Sequence, residues 1–195
     1  VLGKCSGTDS DVQAAMRWAA GIHVDGVPDN PQANWARVIN LSLGGIGECT
    51  QSYQDLVNEL VARRVTIVAS AGNSAGGPVS TPANCKGVIA VLALRHSGAK
   101  VGFSDLGAEI SIAAPGGNCV NTSGGSACLY PILAATNTGA TGPVEYDWTD
   151  SFNASLGTSF SSPLVAGVAG LMISARPSLT PDQVRTAMRT TARPF

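Results

Sequence analysis

Ser159 is the residue whose setting most suggests chemistry. It stands in Gly157-Thr158-Ser159-Phe160-Ser161-Ser162-Pro163, just before the apolar run Leu164 to Ile173. Hydroxyl residues ahead of a long apolar segment, with Pro163 at a first-turn position, are how an ordinary buried helix begins. A serine in a glycine-flanked turn at a helix N-terminus has a second use. Its hydroxyl points outward, where the helix dipole favours developing negative charge, and that is where a nucleophile belongs. A second stretch, Val65-Thr66-Ile67-Val68-Ala69-Ser70-Ala71-Gly72-Asn73, is a continuous β-branched strand ending in small residues. The carboxamide of Asn73 then projects from the carboxyl end of a buried parallel strand, the end of an open α/β sheet where ligands and chemistry gather.

In this order and at this separation, Gly157-Thr158-Ser159 with Ser162-Pro163 resembles the nucleophile motif of the subtilase family of serine endopeptidases, and Ser70-Ala71-Gly72-Asn73 resembles its oxyanion motif. Ala113-Ala114-Pro115-Gly116 is similar to the family too, and the pattern is that of extracellular bacterial members. The resemblance implies an α/β, subtilisin-like three-layer fold with a mostly parallel central sheet flanked by helices. It implies hydrolysis of peptide bonds in protein or peptide substrates, with Ser159 as nucleophile and the Asn73 side chain and Ser159 N–H as oxyanion hole. Ser42, Leu43 and Gly44 would pair with the substrate as an added strand, a mode that reads any extended peptide. The same three residues, with Ser70, Ala71 and Gly72, would wall the pocket for the residue before the cut, its base lying in the Ser74 to Pro82 loop. No cofactor is required. Structural calcium is frequent in the family, although no acidic cluster in the sequence marks a site.

A serine hydroxyl needs a base, and that base needs a third group to orient it. Subtilases supply these in the chain order Asp, His, Ser. Asp9, Asp11 and Asp105 lack the strand-and-glycine setting of the family's Asp, and the two histidines, His23 and His96, lack its His-Gly-Thr-His-type helix. Val1-Leu2-Gly3 matches the family strand that follows that helix. The expectation is that residues 1–195 form the later part of a single catalytic domain. The triad Asp and His, with the family's N-terminal strands and helices, would then lie outside this chain.

Loss of the histidine costs a subtilisin on the order of 10⁶-fold in turnover, against about 10²–10³ for loss of the oxyanion Asn. Alone, the chain is therefore expected to be nearly inactive. It is also expected to fold stably only with the front segment as partner, with Cys5 a candidate tie. Without that segment, backbone groups would stay unpaired between the strand ending near Val1-Leu2 and the Val38 to Leu43 strand. The competing expectation is a catalytically inert subtilase-like domain that keeps the sheet and groove for peptide binding or structure. Ser159 and Asn73 together favour the protease, since a binding module has no need of both. The serine stretch lacks the second glycine of a G-x-S-x-G elbow, against a different hydrolase fold.

Composition narrows the partners. A net charge of -1 without a Lys/Arg cluster argues against nucleic acid or an anionic membrane. Leu164 to Ile173 is shorter than the roughly 20 residues that span a bilayer. The five cysteines show no C-x-x-C spacing, so disulfides are favoured over zinc. Cys119 and Cys128 bracket a polar loop, Cys49 and Cys85 stand where they can join neighbouring loops, and Cys5 is left over. Such bridges imply a secreted, extracellular or periplasmic setting.

These residues must be positioned by strands and helices. A helix capped by Thr8 or Ser10 runs to about Ala20 and stops at Gly21, and a surface loop with His23 follows to Ala36. Val38 to Leu43 is a strand ending at Gly44-Gly45, where missing side chains leave room for another backbone. A helix from about Gln51 to Arg64 leads into the Val65 to Ser70 strand. Val88 to Leu94, Val101 to Phe103, Ile110 to Ala113 and Ile132 to Ala135 are further strands, with His96 in a surface turn. The last helix begins at Thr180-Pro181.

Overall fold

A computed structural model describes residues 7–118, 130–150 and 156–193. Its centre is a four-stranded, all-parallel sheet of β1 (Val38–Leu41), β2 (Thr66–Ser70), β3 (Ile89–Leu94) and β4 (Ile110–Pro115), in the spatial order β1-β2-β3-β4. Every residue of β2 is buried, as expected for a strand covered on both faces. Alternate side chains therefore serve two cores. Ile67 and Ala69 join Val12, Met16, Tyr53, Leu56 and Leu60 from α1 (Asp9–Ala19) and α2 (Gln51–Ala62). Val68 joins Val165, Ala169, Val184 and Met188 from α3 (Thr158–Ala175) and α4 (Pro181–Thr191) on the other face. The result is the α/β arrangement of three layers that the sequence implied.

Local chemistry sets the helix starts. Thr8, Thr50 and Thr180 each cap a helix by accepting a backbone N–H, and Thr180 with Gln183 forms a full capping box. Gly21 ends α1 with φ +76°, and a Cβ there would sit inside the Trp35 indole ring. Helices α1 and α2 are tied by the Arg17–Glu59 ion pair and by the Tyr53 hydroxyl, which donates to Asp9 Oδ1 at 3.3 Å. By length and mean hydropathy, 1.4, α3 would pass for a membrane span. Instead it packs against all four strands of the sheet with Val165, Ala169 and Ile173 buried, as a core helix.

Four expectations are corrected. Val101 to Phe103 is a turn: the Ser104 hydroxyl takes the Ala93 N–H at 3.0 Å, and Val101 N–H returns to the Ala93 carbonyl at 3.1 Å. The strand expected at Ile132 lies two residues later, as β5 (Ala134–Asn137). It pairs antiparallel with β6 (Tyr146–Thr149), which was not foreseen. Pro163 does not stand in the first turn, because α3 begins at Thr158 and encloses it. The expected strand at Val1-Leu2 lies outside the described residues.

Candidate active site

Three segments distant in sequence converge where parallel strands end. β1 delivers Ser42, Leu43 and Gly44, β2 delivers Gly72 and Asn73, and the first turn of α3 delivers Thr158 and Ser159. A cavity of about 240 Å³ opens between them, lined by Leu43, Gly44, Ser70, Gly72, Asn73 and Ser159 among others. Ser70, whose hydroxyl reaches the Leu41 and Leu43 carbonyls at 3.4 and 3.5 Å, braces the wall from β1. Ala71 is fully buried in the core and only its neighbours face the cavity.

The start of α3 is capped from across the sheet. Gly157 precedes it at φ +137° and offers no side chain. Asn73 Oδ1 fills that role, accepting from the Thr158 N–H at 2.9 Å and from the Thr158 hydroxyl at 3.0 Å. Thr158 Oγ1 in turn accepts from the Gly72 N–H at 3.2 Å. With Oδ1 engaged twice, the donor Asn73 has left for a ligand is its amino group Nδ2.

Pro163 fixes the other side. A proline in a helix cannot donate to the carbonyl four residues back, here that of Ser159. The Ser42 hydroxyl donates to that carbonyl instead, at 2.7 Å, while Ser159 Oγ donates to the Ser42 carbonyl at 3.3 Å. Behind them the Ser162 hydroxyl donates to Asn40 Oδ1 at 2.7 Å, and Asn40 Nδ2 donates to Ser42 Oγ at 2.9 Å. The Ser159 hydroxyl thus stands half-buried at a helix N-terminus, at the floor of a cleft whose lining side chains are all uncharged.

A disulfide secures the rest. Cys49 and Cys85 are bonded, with Cα atoms 5.1 Å apart. Beside them Gly45 and Thr81 exchange backbone hydrogen bonds of 2.9 and 3.0 Å. A Cβ on Gly44 would come within 3.0 Å of the Thr81 carbonyl, so the glycines do admit a second backbone.

The sequence model of the subtilase family, Peptidase_S8, matches residues 1–194. This chain belongs to the subtilase family. An extracellular protease of Xanthomonas campestris pv. campestris is 44% identical over 195 residues, covering 99% of this subtilase chain and 30% of that protein. Subtilisin DY of Bacillus licheniformis is 31% identical, with 96% of this chain and 56% of its own length covered. Among solved structures, a protease from Pseudoalteromonas arctica superposes with a TM-score of 0.89 at 36% identity, over 100% of this chain and 55% of that one. The chain thus spans about a third to a little over half of the relatives it matches.

Within this subtilase, the cleft gathers Leu43, Gly44, Ser70, Gly72, Asn73 and Ser159, and Ser42 joins them through Ser159. Neither histidine lines it. His23 pairs with Asp25 and Asp29 in the α1–β1 loop, and His96 stacks on Tyr130 with ring centroids 3.5 Å apart. Sequence reasoning missed Thr158 and Asn40. Pro163 was the signal for part of this, since a proline inside a helix demands an outside donor for one carbonyl. Among the described residues no three His, Cys, Asp or Glu side chains gather. Cys5, Cys119 and Cys128 lie outside the described residues.

Proposed function

We propose that these residues carry the nucleophile and the oxyanion hole of a secreted serine endopeptidase. The observation that carries this reading is the seating of Ser159 at the α3 N-terminus beside an Asn73 carboxamide whose oxygen is held by Thr158. Ser159 Oγ attacks the scissile carbonyl carbon while its proton passes to a base. The oxygen, now an anion, is met by Asn73 Nδ2 and the Ser159 N–H. Collapse breaks the C–N bond, the base returns the proton to the leaving amine, and a peptidyl-Ser159 ester remains. Water, deprotonated by the same base, hydrolyses it and frees the serine.

The base and its orienting carboxylate are assigned to a histidine and an aspartate upstream of Val1, so residues 1–195 by themselves would turn over very slowly. Ser42, Leu43 and Gly44 take the substrate backbone as an added strand, and the cleft takes the side chain before the cut. No step needs a metal. Secretion is supported by the Cys49–Cys85 bond and by relatives named as extracellular proteases.

A fluorophosphonate probe tests this reading. It should label full-length protein and leave the Ser159→Ala variant and isolated residues 1–195 unlabelled. A folded full-length protein that takes no label would instead support the inert, peptide-binding subtilase domain.

A further inference from the structure

We infer that Asp105 is a positioning residue for the oxyanion donor Asn73, an inference that rests on the peptidase reading above. Asp105 lacks the setting of a triad acid, yet its contacts converge on one place. Its Oδ1 accepts the Ser74 N–H at 2.7 Å, and its own N–H donates to the Gly72 carbonyl at 3.0 Å. One residue therefore grips the backbone on both sides of Asn73, while Thr158 grips the carboxamide. Ala75 N–H to the Phe103 carbonyl and Leu106 N–H to the Gly77 carbonyl, both 3.0 Å, extend the same latch. The carboxyl group is fully buried, and its Oδ2 has no hydrogen-bond partner among the described residues. Burying such a group is costly, and this one lies directly behind the loop whose shape aims the Asn73 amide.

The glycines beside Asn73 acquire a reason. A Cβ on Gly72 would overlap Asp105 Oδ2 and Ser80 Oγ, and one on Gly77 would stand 3.3 Å from Oδ1. Bare backbone is what lets the carboxyl group approach. Oxyanion donors act only when held within tenths of an ångström of the developing charge, and a misplacement of about 1 Å costs on the order of 10²-fold. A loop that loses its latch but keeps the Thr158 bonds should lose part of that.

The experiment is a double-mutant cycle on full-length protein with a peptide substrate, alongside thermal melting. Asp105→Ala should lower kcat about tenfold with KM within about twofold. Asp105→Asn, which keeps an acceptor oxygen for Ser74, should stay within about threefold of the parent. In the Asn73→Ala background the Asp105→Ala change should cost less than about twofold further, because Asp105 acts through Asn73. If Asp105→Ala does not fold, Asp105→Ser enters the same cycle, its short hydroxyl leaving the Ser74 N–H unpaired. Multiplicative losses, a change confined to KM, or full activity in the alanine or serine variant would overturn the inference while the peptidase reading stands. Undiminished activity in Ser159→Ala or Asn73→Ala would overturn both.

Discussion

Ser42 and Ser159 exchange two hydrogen bonds, the Ser42 hydroxyl to the Ser159 carbonyl at 2.7 Å and the Ser159 hydroxyl to the Ser42 carbonyl at 3.3 Å. The pair ties the segment just after β1 to the proposed nucleophile, and it exists because Pro163 leaves the Ser159 carbonyl without a helical donor. Ser42→Ala should cost about 1 kcal/mol in urea unfolding, the worth of an ordinary hydrogen bond. In a Pro163→Ala background, where residue 163 regains an N–H, the same change should cost measurably less. Equal costs in both backgrounds would disconnect Ser42 from the proline.

Thr158 supplies both donors to Asn73 Oδ1. Asn73→Ala should lower kcat by about 10²–10³. Thr158→Ala should give a smaller loss of the same kind, in kcat and not in KM, and Thr158→Ser should recover most of it because the serine hydroxyl can take the same place. Steady-state kinetics on the full-length protein decide; a KM effect alone would make Thr158 part of substrate binding instead.

The Cys49–Cys85 bond closes a loop with a sequence separation of 36 residues. Loop-closure entropy on that length corresponds to about 4 kcal/mol at most. Joint replacement of Cys49 and Cys85 by serine should lower the urea midpoint accordingly and leave the Gly45–Thr81 backbone bridge to hold the two loops together. An unchanged midpoint would mean that the backbone bridge beside it suffices.

Two titrations should mark the α1 side of the sheet. Burial first, then the Asp9 carboxylate, pushes the Tyr53 phenol up from 10.0 to about 12. The unfolded chain therefore loses its proton first, so stability present below about pH 10 should drain away as pH rises towards 12. Ultraviolet titration of the parent against Tyr53→Phe reads this directly. His23 is raised above 6.5 by its hydrogen bond to Asp29 and by the Asp29 and Asp25 charges. Its contribution is present at acid pH and lost as pH climbs through the raised value; NMR titration should show Asp29→Asn returning it towards 6.5.

Periodicity sufficed for the parts of the fold that local chemistry dictates. Thr8 and Thr180 cap where hydroxyls precede apolar stripes, and β2 is buried on both faces because Val65 to Ala69 carries no charge. The errors arose where a distant group decides. Val101 to Phe103 has strand composition, but the Ser104 hydroxyl takes the Ala93 N–H and closes a turn. Helix α3 starts at Thr158 because Asn73, 85 residues away, caps it. At the site, the convergence of Ser159, Asn73 and the Ser42 to Gly44 segment after β1 was legible from their motifs. Thr158, Asn40 and Asp105 were not, because their importance lies in which backbone groups they satisfy, and no spacing in the chain records that.

The Cys49–Cys85 bond has one further consequence, for wear. Any of the 36 peptide bonds between the two cysteines can be cut once without the pieces parting, since the sulfur bridge still joins them. That span contains α2 and β2, hence much of the inner core. A nicked molecule would migrate whole on a gel until a reducing agent is added, and its damage would stay hidden while its cleft walls kept their places.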